Sequence, residues 1–380
     1  MQCALINHHM LIAPRSVTVC CNHSQHWSIT PDQYWSGTIR TELTTQLAQG
    51  QWPTHCQQCR DQESQGQQSL RQWSNHQFGH RTPLDHQPRY VDLRLSNSCN
   101  LTCRMCDPRY SAGIASEMHR HDLNEYYPTP SQSHKLQQIQ QDDLDQIRAW
   151  LPLIDRMQFT GGEPTQIAQV KEIINFSIST GHARHCDLLI TTNATRVDAW
   201  WLALVNHFRS VHFTVSMDGV DETFEYIRHG ADWSRFSANV HEIIRAVSSV
   251  QINSVMSAYT IPTLTNQCRT VRQWQLMHRS LWPRGHFAWT MPVIHEPSQL
   301  RCWVYPRMYR RVLVNEIRNA VSMCDQWLMT AVADSGRSVI TQFESQPESP
   351  QLWDKFARYT RALDKIRHSQ HTLSWHHMFD

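Results

Sequence analysis

Three cysteines in the segment SNSCNLTCRMCDP, Cys99, Cys103 and Cys106, form a C-x3-C-x2-C array. At the observed cysteine frequency of 12 in 380 residues, the expected number of chance matches is only about 0.01. Zinc sites usually close with four ligands in paired CxxC or CxxH units, whereas three thiolates on one tight loop suit an iron–sulfur cubane. A zinc knuckle or a group of buried thiols is the competing interpretation. Three protein ligands for a cubane leave one iron open, and an open coordination position is where a substrate or small-molecule cofactor binds. Five further cysteines, Cys3, Cys20, Cys21, Cys56 and Cys59, also lie in the first third of the chain, the last two as a CxxC.

Other chemistry-bearing residues follow strand-like runs. FTGGEP carries Gly161, Gly162, Glu163 and Pro164. Glycines there allow a ligand close to the backbone, and a glutamate accepts from an ammonium group. TTNAT places Thr192 and Asn193 at a strand end, VSMDG does the same for Ser216 and Asp218, and EYIRHG contains Arg228. Asn and Asp also terminate strands for purely conformational reasons, so each of these is weak alone.

The elements that must position these groups alternate. Short β-prone runs occur at 90–96, 156–160, 186–193, 210–219, 250–258 and 286–293, and helical patterns near 108–120, 142–151, 165–180, 196–207, 235–249 and 265–279. Strand–helix alternation repeated six times implies a parallel sheet with helical crossovers. No GxGxxG opens the first crossover, which favours an α/β fold of open or closed β/α barrel type over a doubly wound sheet. In a barrel the candidate groups would all sit at the C-terminal ends of strands, the face that carries chemistry. Beyond about residue 296 the pattern is mainly helical. The proline-bearing stretch HRTPLDHQPRY (80–90) reads as a linker. Three segments follow: 1–88, cysteine-bearing; 89–295, the barrel; 296–380, helical.

With its cysteine array followed by GGEP, the chain resembles the radical S-adenosylmethionine superfamily. The resemblance implies a TIM-like partial (β/α)6 barrel in which Cys99, Cys103 and Cys106 hold a 4Fe–4S cluster. It also implies reductive cleavage of S-adenosylmethionine to a 5′-deoxyadenosyl radical that abstracts hydrogen from a substrate. Gly161, Gly162, Glu163 and Pro164 would bind the amino end of S-adenosylmethionine. Thr192, Asn193, Ser216 and Asp218 would contact its carboxylate or ribose, and Arg228 matches a recurrent arginine of the family. Met105 stands where an aromatic residue usually packs near the adenine, and its polarizable side chain can fill the same contact. The N-terminal cysteines resemble the auxiliary-cluster modules called twitch and SPASM, here preceding the barrel. That resemblance implies a second iron–sulfur cluster on Cys3, one of Cys20 and Cys21, Cys56 and Cys59. Zinc would accept the same four thiolates, and a metal-free module is the third alternative. A reductant such as flavodoxin or ferredoxin is the implied partner, and a peptide or protein the implied substrate. Alternatives are a small molecule, sugar or nucleotide as substrate, or a non-catalytic iron–sulfur or zinc protein.

Composition bounds these expectations. The 380 residues carry 35 Lys+Arg against 33 Asp+Glu, a net charge of +2 that gives no basis for polyanion binding by charge alone. Nucleic acid is therefore not an expected partner. No apolar run approaches the roughly 18 residues that span a bilayer, and the N-terminal residues lack a basic start and apolar stretch, so a cytoplasmic location and no membrane are expected. Twelve cysteines without an export signal argue for metal ligation over a disulfide framework. Cys186, Cys268, Cys302 and Cys324 read as small buried apolar residues. The 24 histidines, including His8, His9, His119, His121, His371, His376 and His377, form no HExxH-type unit. Trp200, Trp201, Trp282 and Trp289 read as core or interface, Trp289 with the option of facing a substrate.

Overall fold

In the computed structural model, described residues are 1–64, 66, 68–127, 135–281 and 286–369. Trp282, His371, His376 and His377 lie outside them. The chain divides into two compact units, one of residues 1–98, 136–191 and 203–211, the other of 99–135, 192–202 and 212–380.

The first unit contains strands β1 (His9–Ala13), β2 (Ser16–Thr18), β3 (Tyr90–Leu93), β4 (Arg156–Phe159) and β5 (Asp187–Thr192), in the spatial order β2-β1-β3-β4-β5. All but β2 run parallel: His9 registers with Tyr90, Tyr90 with Arg156 and Arg156 with Asp187. Strand β2 closes an antiparallel hairpin on β1 through Leu11 and Thr18. All four residues of β3 and the first four of β1 are buried, as in a parallel strand covered on both faces. Strand β5 alternates buried and half-buried positions. The helices are α1 (Ala4–His8), α2 (Pro31–Ser36), α3 (Ile39–Ala48), α4 (Gln57–Ser64), α5 (Leu70–Phe78), α7 (Gln141–Trp150) and α8 (Ala168–Ser179), α6 belonging to the other unit. Capping boxes start two of them, with Thr30 accepting from the Gln33 amide and Ser69 from the Gln72 amide.

The second unit contains the parallel strands β6 (Ser210–Ser216), β7 (Ser249–Asn253) and β8 (His286–Thr290), His212 registering with Ser249 and Ser249 with His286. Its helices are α6 (Ala112–His121), α9 (Ala199–Leu202), α10 (Asp221–Ile227), α11 (Trp233–Ala246), α12 (Leu264–Met277), α13 (Arg307–Gln326), α14 (Thr330–Ser345) and α15 (Pro350–Arg367). Asp232 caps α11 by accepting from the Arg235 amide, and Ser349 caps α15 ahead of a proline at its first position. The buried positions of α15, Phe356, Tyr359, Thr360, Leu363 and Asp364, recur every three or four residues, so one face is committed to packing.

The α/β class, the parallel strands with helical crossovers and the helical C-terminal segment are therefore as expected, and the six expected strands are β3 to β8. Two expectations change. Residues 9–13 add a parallel strand beside β3, although HMLIA is too short and uniformly apolar to declare a strand by periodicity. The helix expected over 196–207 is only Ala199–Leu202 followed by a 3-10 turn, Ala203–Asn206. Among the described residues no helix is long and apolar enough to cross a membrane.

Candidate functional site

The cysteine loop of the second unit is held by its backbone. The Thr102 amide donates to the His229 carbonyl at 3.0 Å and the Arg104 amide to that of Ile227 at 2.8 Å. The Arg104 carbonyl accepts from the Tyr359 hydroxyl of α15 at 2.8 Å. The Arg104 side chain, fully buried, donates from Nη2 to Asp364 at 2.5 Å and from Nε to the Tyr226 carbonyl at 2.9 Å, and it stacks on the Tyr226 ring at 3.6 Å. Met105 is half-buried in the turn that follows. With residue 104 gripped from three sides, the thiols on either side of it have few conformations left.

Burial pushes the Cys103 and Cys106 thiols up, Cys106 further because Cys103 and Cys99 stand near it. Such thiols become thiolates only where a metal or nearby cations take over the charge. Cations are present. Arg228 and Arg367 both act against the effect of burial at Cys103. Burial alone would lower the Arg228 guanidinium, but the Cys103 sulfur and Asp218 together carry it up. Donors point at sulfur as well: the Leu101 amide approaches Cys99 Sγ at 3.5 Å and Asn193 Nδ2 at 3.9 Å. Clustered, half-buried thiols with N–H donors and compensating guanidinium groups fit a thiolate-ligated iron–sulfur cluster.

Three expected cofactor contacts have structural partners in this unit. Asp218 pairs with Arg228 at 2.6 Å and accepts the Val255 amide at 2.7 Å. Asn193 accepts from the Thr195 amide and hydroxyl at 3.0 and 2.7 Å, and donates to Asn100 Oδ1 at 2.9 Å, so it brackets the strand end to the cysteine loop. The Thr192 hydroxyl accepts the Ala194 amide at 3.0 Å, supporting the left-handed φ of 54° at Ala194. Ser216 ends β6 in register with Asn253. Trp289 is buried and donates to the Ser254 hydroxyl at 3.0 Å, so it serves as core.

In the first unit, the GGEP turn lies against residues 96–98. Gly162 donates to the Ser96 carbonyl at 3.1 Å and Glu163 to the Ser98 carbonyl at 2.7 Å. A Cβ on Gly162 would lie 2.1 Å from the Ser98 oxygen, and Gly161 has φ +99°. The close approach at Gly162 is thus made by the chain itself, at the residue preceding Cys99. Glu163 is buried and accepts from the Thr165 amide at 3.1 Å and hydroxyl at 2.7 Å, capping the short helix that Pro164 begins.

A second group of thiols is gathered in the same unit. Cys3, Cys20, Cys56 and Cys59 line one cavity together with Leu43, Trp52 and Arg71. Burial pushes Cys56 up to about 12, with Cys3 and Cys59 adding to it, and Cys20 rises well above the usual thiol range. Cys21 is exposed, donates to the Asn22 side-chain oxygen Oδ1 at 3.7 Å and does not line the cavity. Arg71, paired bidentately with Glu63, supplies the cation at the cavity wall. Among the described residues no three His, Cys, Asp or Glu side chains surround a single point closely enough to hold one metal ion. Cys186, Cys268, Cys302 and Cys324 are buried, Cys268 and Cys324 with their sulfurs 3.6 Å apart.

The residues missed from sequence are Arg104, Glu117, Tyr359, Asp364 and Arg367. Their common mark is a buried polar side chain, charged in all but Tyr359, and no spacing rule announces it, because the partners are 250 to 260 residues apart.

Residues 93–271 match the family model of the radical SAM superfamily. No curated protein matches the chain. Among solved structures it is similar to native anSMEcpe with bound AdoMet, at 15% identity and a TM-score of 0.41 over 63% of this chain and 62% of that one. It is similar also to the radical S-adenosylmethionine methyltransferase TsrM from Kitasatospora setae with cobalamin and a 4Fe–4S cluster bound (10%, TM-score 0.35, 53% and 36% covered). A third is Streptococcus suis SuiB bound to S-adenosylmethionine (14%, TM-score 0.34, 62% and 48% covered). The chain spans about three-fifths of the length of the anSMEcpe structures.

Proposed function

We propose that the protein is a radical S-adenosylmethionine enzyme whose catalytic 4Fe–4S cluster is held by Cys99, Cys103 and Cys106, a reading supported by the match of residues 93–271 to the superfamily's model. The observation that carries this is the cysteine loop itself: three thiols fixed around a buried Arg104, with Arg228 and Arg367 placed to balance thiolate charge. When bound, the cluster would supply the electron that cleaves S-adenosylmethionine to methionine and a 5′-deoxyadenosyl radical, which takes a hydrogen atom from the substrate. The chain's own part is to hold the loop, keep water from the sulfurs and present acceptors to the cofactor's ammonium and ribose. Glu163, Thr192, Asn193, Ser216 and Asp218 are the residues for that role, Asp218 with Arg228 fixed beside it.

The finer reading is a twitch- or SPASM-like protein with an auxiliary cluster on Cys3, Cys20, Cys56 and Cys59. The shared cavity of these four, which excludes Cys21, supports it. Four ligands close such a cluster and suit it to electron transfer or structure. A peptide or protein substrate, a flavodoxin- or ferredoxin-type reductant and a cytoplasmic location complete the proposal.

Anaerobic reconstitution tests it. The protein should bind about four irons per cluster, hence about eight in all. With a strong reductant and S-adenosylmethionine it should release 5′-deoxyadenosine, and substitution of Cys99, Cys103 and Cys106 by alanine should abolish that release. Cluster-replete protein that forms no 5′-deoxyadenosine would overturn the enzymatic reading.

A further inference from the structure

A second deeply buried ion pair joins Arg367, the last residue of α15, to Glu117 of α6. Arg367 donates from Nε to Glu117 Oε1 at 3.0 Å and from Nη2 to Oε2 at 2.7 Å, and the side chains are only 2% and 10% exposed. Taking both ions out of water is costly, and a bidentate fork offsets that cost only in part. Among the described residues the remaining Nη1 of Arg367 is buried without a partner. Stability is therefore a poor reason for placing the pair here.

Its position offers a better one. Helix α6 begins six residues after Cys106, and α15 reaches back to the cysteine loop through the Tyr359–Arg104 and Asp364–Arg104 contacts. The pair and the loop are thus fastened by the same two helices. The Tyr127 hydroxyl meets the Tyr359 hydroxyl at 2.8 Å, and Tyr359 in turn donates to the Arg104 carbonyl of the cysteine loop. Arg367 lies 96 residues beyond the end of the family match.

We propose that Arg367 and Glu117 are positioning residues that set the reduction equilibrium of the cluster on Cys99, Cys103 and Cys106, the guanidinium favouring the reduced, more negative state and the carboxylate moderating it. This rests on the cluster assignment made above. Neighbouring charge and hydrogen bonding are among the levers by which a protein shifts an iron–sulfur potential.

The two halves of the pair should act with opposite sign, which a merely structural role would not produce. Reconstituted full-length protein is titrated anaerobically at one fixed pH, and the reduced cluster is followed by its EPR signal. Glu117→Gln leaves an uncompensated guanidinium and should raise the one-electron reduction constant about tenfold, equal to roughly 59 mV upward. Arg367→Gln should lower it by a similar factor. Arg367→Lys keeps the charge and should stay within about twofold of the parent protein. Shifts of the same sign in Glu117→Gln and Arg367→Gln, unchanged potentials with iron retained, or loss of iron from all three variants would each overturn the proposal. A parent protein that binds no iron at Cys99, Cys103 and Cys106 would instead overturn the cluster assignment on which it rests.

Discussion

Gly162→Ala should cost far more than its single methyl group would indicate. The new Cβ would be placed 2.1 Å from the Ser98 carbonyl oxygen and 3.0 Å from the Asn97 carbonyl carbon, both backbone atoms that no rotamer change can move. Restoring an ordinary contact requires the two segments to part by about 1 Å. That movement breaks or stretches the Gly162–Ser96 and Glu163–Ser98 hydrogen bonds, now 3.1 and 2.7 Å, beside a glutamate that is 1% exposed. Two buried hydrogen bonds at about 1 to 2.5 kcal/mol each give roughly 2 to 5 kcal/mol. For a unit of this size that corresponds to a fall in Tm of about 5 to 15 °C. Gly181→Ala is the control, because Gly181 has φ +80° and nothing within 4 Å of the added methyl. It should cost only the left-handed penalty of about 1 to 2 kcal/mol. Differential scanning calorimetry gives the Tm values, and iron analysis of reconstituted protein gives a second readout, since Ser98 immediately precedes Cys99. If Gly162→Ala melts no lower than Gly181→Ala and binds as much iron, the account of this turn is wrong.

Three other perturbations have defined outcomes. Alanine at Cys3, Cys20, Cys56 or Cys59 should remove about four irons and leave the catalytic cluster's EPR signal, while Cys21→Ala should keep the full complement; iron loss from Cys21→Ala would reassign the ligand. Asp364→Ala strands the fully buried Arg104 guanidinium and should destabilise by about 3 to 5 kcal/mol, whereas the double change Arg104→Met, Asp364→Leu should recover at least half of the lost Tm. His9 is buried, which lowers its pKa below the usual 6.5 against the opposing pull of the Val19 carbonyl, 2.6 Å from Nδ1. Below pH 6.5 the unfolded chain takes up a proton that the native His9 refuses, so this contribution is intact above pH 6.5 and is lost as pH falls toward the lowered native value. Replacing His9 by Gln should flatten the decline in Tm between pH 7 and pH 5, and an unchanged slope in a thermal-shift series would exclude His9 as its source.

Much of this was legible in residue order because it depends on local pattern. The six strands β3 to β8 announce themselves as short β-prone runs, and CNLTCRMC and GGEP are contiguous. The rest depends on separations that no pattern encodes. Cys20 and Cys21 differ by one residue in sequence, yet which of them faces the cavity follows from how β2 ends and the chain turns after Val19. Strand β1 is a short apolar run whose neighbour, β3, is about eighty residues away. The Arg104–Asp364 and Glu117–Arg367 pairs join residues that any spacing rule treats as unrelated. In the sequence, Asp218 and Arg228 appear as two separate cofactor contacts, and only the folded chain shows them as one ion pair.

The family match stops at residue 271, but the means of holding its defining cysteines do not. Tyr359 accepts the task of fixing the Arg104 carbonyl, Asp364 neutralises the Arg104 side chain, and Arg367 brings a third buried guanidinium toward Cys103. All three sit on the buried face of one helix, at i, i+5 and i+8, together with the apolar residues that seat it. On the proposed cluster assignment, a loop that keeps three sulfurs in place through changes of cluster charge needs support whose own charges are already balanced, because unpaired groups would move with each electron. Helix α15 meets that requirement with two closed ion pairs and a tyrosine, and this is why the C-terminal segment belongs to the cysteine site as fully as the loop does.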